Sequence, residues 1–295
     1  MNIGILTFRD QDYHPNRRLM EAASKLCYNV VLLNPKRCFS SLTNTSYSVW
    51  CKEAEVEIHA LLPRIGANID DYTLGLVRQF ELQGVRVINS SIAIERARDK
   101  FRTLQELARG GIRVVESCCV NNMQNLKSAL DALGPYPVVL KLRSSRQGRG
   151  VTLADKEETA RFIVENLKQP GRGIIVQRFY PNEERKDIRV LVVGDKVAGA
   201  ALMTPAPGEF RSNVHVGGKG EAIDPGPELR GLALEASKLL GLEIAGVDIL
   251  IPKEGPPMVV EVNYAPGFQG LEAVTGLDIA RVIIKYITTF AGRPS

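Results

Sequence analysis

The segment Met258-Val-Val-Glu-Val-Asn263 sets two oxygen-bearing side chains, Glu261 and Asn263, at alternate positions of an apolar run. Alternate side chains of an extended chain share a face. The sequence therefore predicts a strand with Glu261 and Asn263 on one side, and Val260 and Val262 on the other, in a core. Asp248 interrupts a second apolar run, Ala245-Gly-Val-Asp-Ile-Leu-Ile251, and can face the same pair from a neighbouring strand. A carboxylate in such a run needs a cation or hydrogen-bond donors. Two carboxylates and an amide oxygen make a hard, oxygen-only set. It suits Mg²⁺ or Mn²⁺, whose octahedron phosphate oxygens usually complete. Taken alone, these residues fit an acidic, solvated strand face equally well.

A second constellation is cationic. Lys141 ends the apolar run Val138-Val-Leu-Lys141, and Ser144-Ser-Arg-Gln-Gly-Arg-Gly150 follows. A lysine at a strand end beside a flexible loop suits a triphosphate, because glycine lets backbone N–H groups approach the anion. The loop is not a Walker A sequence, and a charged surface turn accounts for the same residues. Lys100, directly after Asp99, reads equally as a solvated helical lysine. His14, His59 and His215 have no metal-ligand spacing, and no Gly-x-Ser-x-Gly elbow is present, so a histidine-based hydrolase finds no support.

The elements that must position these groups follow from periodicity. Over the first hundred residues, strands at Ile3–Thr7, Val30–Leu33, Val56–Leu62 and Val85–Ile88 alternate with helices at Asn16–Leu26 and Leu74–Leu82. That alternation predicts a parallel sheet with helices on its faces. The polar stretch Ser40–Ser48 reads as a loop. From Ala97 the character changes to a small α+β unit: a helix at Asp99–Ala108 stopped by Gly110-Gly111, a strand at Val138–Leu142, a helix at Lys156–Leu167 and a strand at Gly173–Gln177. Cys118 and Cys119 fall in or beside a strand. Ile188–Val193 and Lys196–Met203 flank Gly194-Asp195, a two-residue hairpin turn. A helix at Pro227–Leu240, strands at Ile244–Ile251 and Met258–Asn263, and a helix at Asp278–Phe290 complete the chain.

Composition bounds the reading. A 295-residue chain that is 44% hydrophobic can bury the cores of two or three small domains. The net charge of +5 is spread along the chain. It suits a phosphate ligand, an RNA-associated partner or an ordinary solvated surface, and no nucleic-acid motif accompanies it. Five cysteines without CxxC spacing argue against a disulfide framework and for a reducing compartment. The N-terminus enters a strand without a secretion signal, and no apolar stretch can span a bilayer, so a cytoplasmic protein is expected.

Taken in order, the motifs resemble the RimK group of ATP-grasp ligases over nearly the whole chain. They are Pro63-Arg-Ile-Gly66, Arg78-Gln-Phe-Glu81, Ala97-Arg-Asp-Lys100, Val139-Leu-Lys141, Gln147-Gly-Arg-Gly150, Asp187-Ile-Arg189, Leu191-Val-Val-Gly194, Phe210-Arg-Ser-Asn213, Ala245-Gly-Val-Asp248, Glu261-Val-Asn263 and Pro266-Gly267. Each is modest alone, and the ordered set is specific. The resemblance implies an α/β and α+β architecture with the ATP-grasp fold. It would comprise a Rossmann-like pre-ATP-grasp domain at 1–97, a small lid subdomain at 98–176 and a metal- and ATP-binding subdomain at 177–295.

The resemblance also implies that Lys100 and Lys141 contact ATP phosphates and that the 144–150 loop, with Gln147 and Gly148, covers them. Gln177, Arg178, Phe179 and Tyr180 run along the adenine, Asp187 lies near the ribose, and Arg189 belongs to the nucleotide site. Arg211, as the catalytic cation, and Asn213 reach the reacting phosphate or acyl group. Asp248, Glu261 and Asn263 hold two Mg²⁺ or Mn²⁺ ions. The implied reaction is ATP-dependent carboxylate–amine ligation through an acyl phosphate. It would add glutamate to a protein C-terminus, such as that of a ribosomal protein, or to a small carboxylate acceptor. A peptide ligase acting on a biosynthetic intermediate or carrier protein is the alternative within the class, and a catalytically silent nucleotide-binding module the alternative outside it. A homo-oligomer is expected, with no direct nucleic-acid or membrane partner. Three departures fall near the base or substrate: Arg178 where the family carries glutamate, Leu202–Pro207 with Met203 where it is basic, and Val216 where it carries arginine.

Overall fold

The computed structural model describes residues 1–66, 69–143, 150–166, 173–212 and 217–289. The N-terminal part contains β1 (Asn2–Leu6), α1 (His14–Lys25), β2 (Asn29–Leu33), β3 (Cys38–Leu42), β4 (Tyr47–Cys51), β5 (Ala54–Glu55), β6 (Ala60–Pro63), α2 (Asp71–Leu82), β7 (Arg86–Val87) and α3 (Ser91–Ala97). Strands β2-β1-β6-β7 form a parallel sheet, with Ile3 opposite Val30 on one side and Ala60 on the other. Ile3, Ile5 and Leu6 are fully buried, as expected for a parallel strand covered on both faces. Helices α2 and α3 start where a short polar side chain takes up an orphan N–H: Asp70 accepts from Thr73 N at 2.8 Å, and Ser90 from Ala93 N at 3.3 Å.

Two expectations fail in this part. Ser40–Ser48 is a hairpin rather than a loop. Strands β3, β4 and β5 form their own antiparallel sheet over α2. The turn is closed by the hydroxyls of Thr43 and Ser46, 2.7 Å apart, while Phe39 stacks on Trp50 and Val49 is buried. Serine and threonine here decorate an exposed edge instead of breaking it. The strand expected over Val56–Leu62 contracts to Ala60–Pro63, and Ala54–Glu55 pairs with β4 instead.

The middle part runs α4 (Lys100–Arg109), β8 (Ser117–Val120), α5 (Met123–Leu133), β9 (Val138–Leu142), β10 (Val151–Ala154), α6 (Glu157–Asn166) and β11 (Ile174–Arg178). Its sheet, β10-β9-β11-β8, is antiparallel and carries a separate hydrophobic core built from Leu126, Leu140, Val164, Ile174 and Val176. Helix α5 was not among the expected elements. Its N-cap Asn122 accepts from Asn125 N at 2.8 Å.

The C-terminal part contains β12 (Arg185–Val193), β13 (Lys196–Thr204), β14 (Lys219–Ala222), α7 (Gly226–Leu240), β15 (Ile244–Pro252), β16 (Met258–Asn263), α8 (Gln269–Thr275) and α9 (Ile279–Thr289). Its antiparallel sheet runs β14-β13-β12-β15-β16. The β12–β13 turn uses Gly194 at φ +65°, a conformation glycine adopts without strain. Phe290, placed by the sequence at the end of α9, lies outside the described residues.

The N-terminal and C-terminal sheets share their cores. Leu61, Phe80 and Val87 cluster with Val190, Val247 and Val262, while Ile5 and Leu19 cluster with Ile283 and Ile284 of α9. Buried Asn89 fastens the two. Its Nδ2 donates to Ile244 O and Tyr264 O, both at 2.7 Å, and its Oδ1 accepts from Glu243 N and Ile244 N. An amide that satisfies four backbone groups across a seam costs the desolvation of all of them if removed.

Candidate active site

The site gathers at β15 and β16. Asp248 and Glu261 are opposite one another in register, and Gly246 opposite Asn263 follows. On the other side of β15, Arg189 of β12 pairs with Asp248. One row across three strands thus carries guanidinium, carboxylate and carboxylate. Arg189 grips Asp248 with two parallel hydrogen bonds, Nε to Oδ1 and Nη2 to Oδ2, each 2.7 Å. Asn263 Nδ2 donates to Asp248 Oδ2 at 3.3 Å. Such a fork fixes both oxygens of a carboxylate, and Asp248 holds the Arg189 pKa above its ordinary value against the pull of burial.

The expected alternation along β16 needs one correction. The register shifts between Asp248 and Ile249, which pairs with Val259, leaving Val260 as the extra residue of a bulge. Val262 and Val259 enter the shared core, but Val260 packs on a small cluster of Val115, Leu250, Met258 and Tyr180. The cause lies elsewhere in the chain: the segment 113–115 lies against β16, with Val259 N donating to Arg113 O and Val115 N to Val259 O.

The two lysines arrive from the middle part. Lys100 opens α4 just behind its N-cap Asp99, which accepts from Phe101 N and Arg102 N. A cation at a helix N-terminus opposes the helix dipole. Here it is held by Glu261, with Nζ to Oε1 at 2.5 Å. Arg143 clamps Asp99 from β9's end, and Lys100 N donates to Arg143 O at 3.2 Å, tying α4 to the β10-β9-β11-β8 sheet. Lys141, on β9, is 8% exposed. Burial brings its pKa down to about 8, with Lys100 and Arg185 adding repulsion and Glu261 and Asp248 opposing it. Burial pushes the Glu261 carboxyl up, but Lys100, Lys141 and Arg189 outweigh it, and the net direction is downward.

A second group follows on the same side. Arg185 donates to the carbonyls of Tyr180 and Phe210, sits 5.9 Å from the Phe179 ring centroid, and bonds Asp187 Oδ2 from Nε at 3.2 Å. Ser212 Oγ donates to the same oxygen at 2.7 Å. Gln177 is buried and donates to Ser117 Oγ at 2.9 Å. Arg178 points the other way, donating to Leu133 O and pairing with Glu116, which also accepts from Tyr180 Oη at 3.0 Å. Arg211 makes a fork with Glu209, at 3.0 and 2.6 Å, and that arginine holds the Glu209 pKa at about 2.

The structure therefore joins Lys100, Lys141, Arg189, Asp248, Glu261 and Asn263 into one cluster, and brings Phe179, Tyr180 and Asp187 together through Arg185, whereas Gln177 bonds Ser117 and Arg178 is directed at Leu133 O and Glu116. Arg211 is directed at Glu209. Gln147, Gly148 and Asn213 lie outside the described residues, as does His215. Arg185 and Glu209 were missed. Both act through backbone carbonyls or a near neighbour, and no sequence spacing marks that. Among the described residues no group of three or more His, Cys, Asp or Glu could hold a metal ion. The donor set is instead two carboxylates and an amide oxygen, set in register and ringed by cations. That fits Mg²⁺, which is commonly held by one or two carboxylates with phosphate oxygens making up the rest.

Comparison with known proteins addresses the chain as a whole. Residues 1–94 match a RimK pre-ATP-grasp domain model and residues 97–287 a RimK-like ATP-grasp domain model. A probable alpha-L-glutamate ligase of Maridesulfovibrio salexigens is 40% identical over 288 residues, 97% of this chain and 95% of that protein. An ATP-grasp RimK domain protein from Sphaerobacter thermophilus superposes with a TM-score of 0.75 at 25% identity, over 97% of this chain and 99% of that one. The ATP-grasp ligase PsnB, in complex with a minimal precursor, Mg and ADP, has a TM-score of 0.74 at 19% identity, over 99% and 98%. With two RimK models matched in order over residues 1–94 and 97–287 and a relative 40% identical over 97% of the chain, the chain belongs to the RimK family of ATP-grasp enzymes, ADP-forming carboxylate–amine ligases.

Proposed function

We propose that this ligase adds L-glutamate to a carboxylate acceptor, a protein or peptide C-terminus in the first instance, using ATP and Mg²⁺. The observation that carries the reading is the charge balance at β15 and β16. Among the described residues, Lys100, Lys141 and Arg189 surround two acids, Asp248 and Glu261. Three cations against two acids, with one lysine buried, favour a polyanion whose phosphates meet the lysines. The relative's name supports glutamate, and the precursor-bound neighbour supports a peptide acceptor.

In this reading the 98–176 lid and the 177–295 sheet grip the nucleotide between them, with 1–97 completing the acceptor side. Asp248, Glu261 and Asn263 would hold Mg²⁺, which supplies charge neutralisation at the phosphates and polarises the phosphorus under attack. Lys100 and Lys141 orient the triphosphate. Arg189 fixes the orientation of the Asp248 carboxylate. The segment Gln177 to Tyr180 lines the base, with Arg178 contributing backbone only, and Asp187, fixed by Arg185 and Ser212, accepts from the ribose. The acceptor carboxylate attacks the γ-phosphorus, ADP leaves, and the glutamate amine then attacks the acyl phosphate, releasing phosphate as the amide forms. Arg211, once released from Glu209, neutralises the oxyanion of the tetrahedral intermediate. Water would hydrolyse the acyl phosphate, so the lid's second role is exclusion.

The test is ADP release with ATP and Mg²⁺ across the amino acids and a set of C-terminal peptides, with product masses. ADP release that requires glutamate, and a product heavier by one glutamyl residue, is the expected result. Nucleotide binding without amino-acid-dependent ADP release would reject ligation by this chain. Turnover with another amino acid would reject glutamate alone.

A further inference from the structure

Strands β1, β2 and β6 run parallel, so their carboxyl ends share one edge, where open α/β sheets generally bind ligands. Arg64 stands at that edge, directly after β6. Its Nη2 donates to Pro266 O at 2.7 Å, and its guanidinium lies 5.6 Å from the ring centroid of Phe268, which is fully buried. Among the described residues no carboxylate lies within ion-pair distance of it, and the Pro266 bond is the one hydrogen bond its side chain makes. Burial draws its pKa down to about 10, with Tyr13 acting slightly against this. Partly enclosed guanidinium groups are ordinarily paired. Arg18, Arg143, Arg185, Arg189 and Arg211 all are. Arg64 breaks the pattern.

Its position relates it to the reaction site. Pro266 follows Asn263 by three residues, and a Cβ on Gly246, the cross-strand partner of Asn263, would come within 2.9 Å of Pro266 Cβ. The Pro266 turn therefore packs against the end of the acidic row, and Arg64 is tied to that turn through the Pro266 carbonyl. Arg9, over the Tyr13 ring at 5.5 Å, adds a second cation at the same sheet edge. His14, edge-on to Phe268, leaves its buried Nδ1 without a hydrogen-bond partner.

We infer that Arg64 is the subsite for a non-reacting carboxylate of one of the two co-substrates, held by the guanidinium fork beside the reacting centre. The inference rests on the ligase reading and adds to it the residue that holds a carboxylate which does not react. A planar fork with several free N–H groups matches a carboxylate in two-point contact, which an ammonium cannot reproduce.

The test is equilibrium binding by calorimetry, with Mg²⁺ and a non-hydrolysable ATP analogue present, in two arms. One compares glutamate with its α-amide and its γ-amide. The other compares N-acetyl-alanyl-glutamate with N-acetyl-alanyl-glutamine. The wild type should prefer the carboxylate over the amide by about 10-fold or more in one arm, as expected for a hydrogen-bonded charge pair. That preference should collapse to below about threefold in Arg64→Met and be intermediate in Arg64→Lys. The arm showing the collapse identifies the co-substrate. No preference in either arm, or a preference surviving in Arg64→Met, overturns the inference. If Arg64→Met fails to fold, an undiminished preference in Arg64→Lys overturns it and a several-fold loss upholds it. ADP release, measured in parallel on the wild type, judges the ligase reading separately.

Discussion

Two clusters of charge lie in this molecule, and their balance is opposite. At the seam of α1 and α9, Arg18 is met by three carboxylates: Glu272 at 3.1 Å, Glu21 at 2.8 Å and Asp278 at 3.0 Å. Every one of its nitrogens is used, and Glu272 raises its pKa. At β15 and β16, three cations face two acids, and one of them, Lys141, has its pKa lowered by burial. A cluster whose cation is saturated by acids is complete as folded. A cluster with a buried surplus of positive charge raises the free energy of the empty fold, and an arriving anion relieves it. The contrast separates holding the chain together from holding a ligand.

The strongest way to break this contrast is Glu261→Ala. If Glu261 holds metal as well as Lys100, ADP formation should fall on the order of 10³-fold, since a metal supplies several kcal/mol of transition-state stabilisation. Circular dichroism should still report a folded protein. Near-normal turnover would remove Glu261 from the machinery.

Lys141→Met should move affinity and stability in opposite directions. ADP affinity, read by titration, should drop about 10- to 100-fold, as for the loss of one charge-assisted contact. The nucleotide-free protein should become more stable at pH 7. The sign follows from the lowered pKa. The unfolded chain binds the lysine proton more tightly than the fold does, so the penalty is fully present below about 8 and disappears as pH rises towards 10.5. That difference corresponds to roughly 3 kcal/mol at about 1.36 kcal/mol per pH unit. Wild-type melting temperature should therefore gain over the variant's between pH 8 and 10.5. Parallel profiles would mean that Lys141 is not the strained cation.

How much of this was legible in the sequence differs between the two clusters in the same way. Asp248 and Glu261 stood out because a carboxylate inside an apolar run is conspicuous, and their facing follows from strand alternation. Lys100, Lys141 and Arg189 were named as nucleotide-site residues, but their pairing with these acids was not foreseen. Lys100 reaches Glu261 across 161 positions of sequence, and no local pattern encodes that meeting. The Val260 bulge depends on the docking of 113–115, and the β3–β4 hairpin on packing over α2, so local polarity misread both. The Asn89 and Arg18 networks were also invisible, because each joins elements far apart in sequence. Regular elements with strong periodicity, such as Met258–Asn263, appeared with their boundaries intact.

On the structural side, Arg18→Met should cost about 2 kcal/mol of stability, because three carboxylates lose their shared partner in a partly buried place. The check is a chemical-denaturation midpoint. ADP release per folded molecule should stay within about twofold of wild type. A large kinetic defect in a fully folded variant would show that the seam and the site are coupled, and the comparison would have to be redrawn.

The smallest effect belongs to ion pairs of the same chemistry placed in water. Arg161 on α6 bonds Glu157 at 2.6 Å and approaches Glu165 at 3.7 Å, a short contact between opposite charges by distance alone. All three side chains are about half exposed, at 51%, 45% and 51%. Water and salt screen such pairs, and ordering two long side chains offsets much of the attraction. Arg161→Ala should therefore change unfolding free energy by less than about 0.5 kcal/mol. The small difference should shrink further in about 0.5 M salt, where the Debye length is only about 4 Å. A loss comparable to that of Arg18→Met would mean that contact distance decides the strength of these pairs. The expected near-silence would leave burial and charge balance as what distinguishes the seam, the site and the surface.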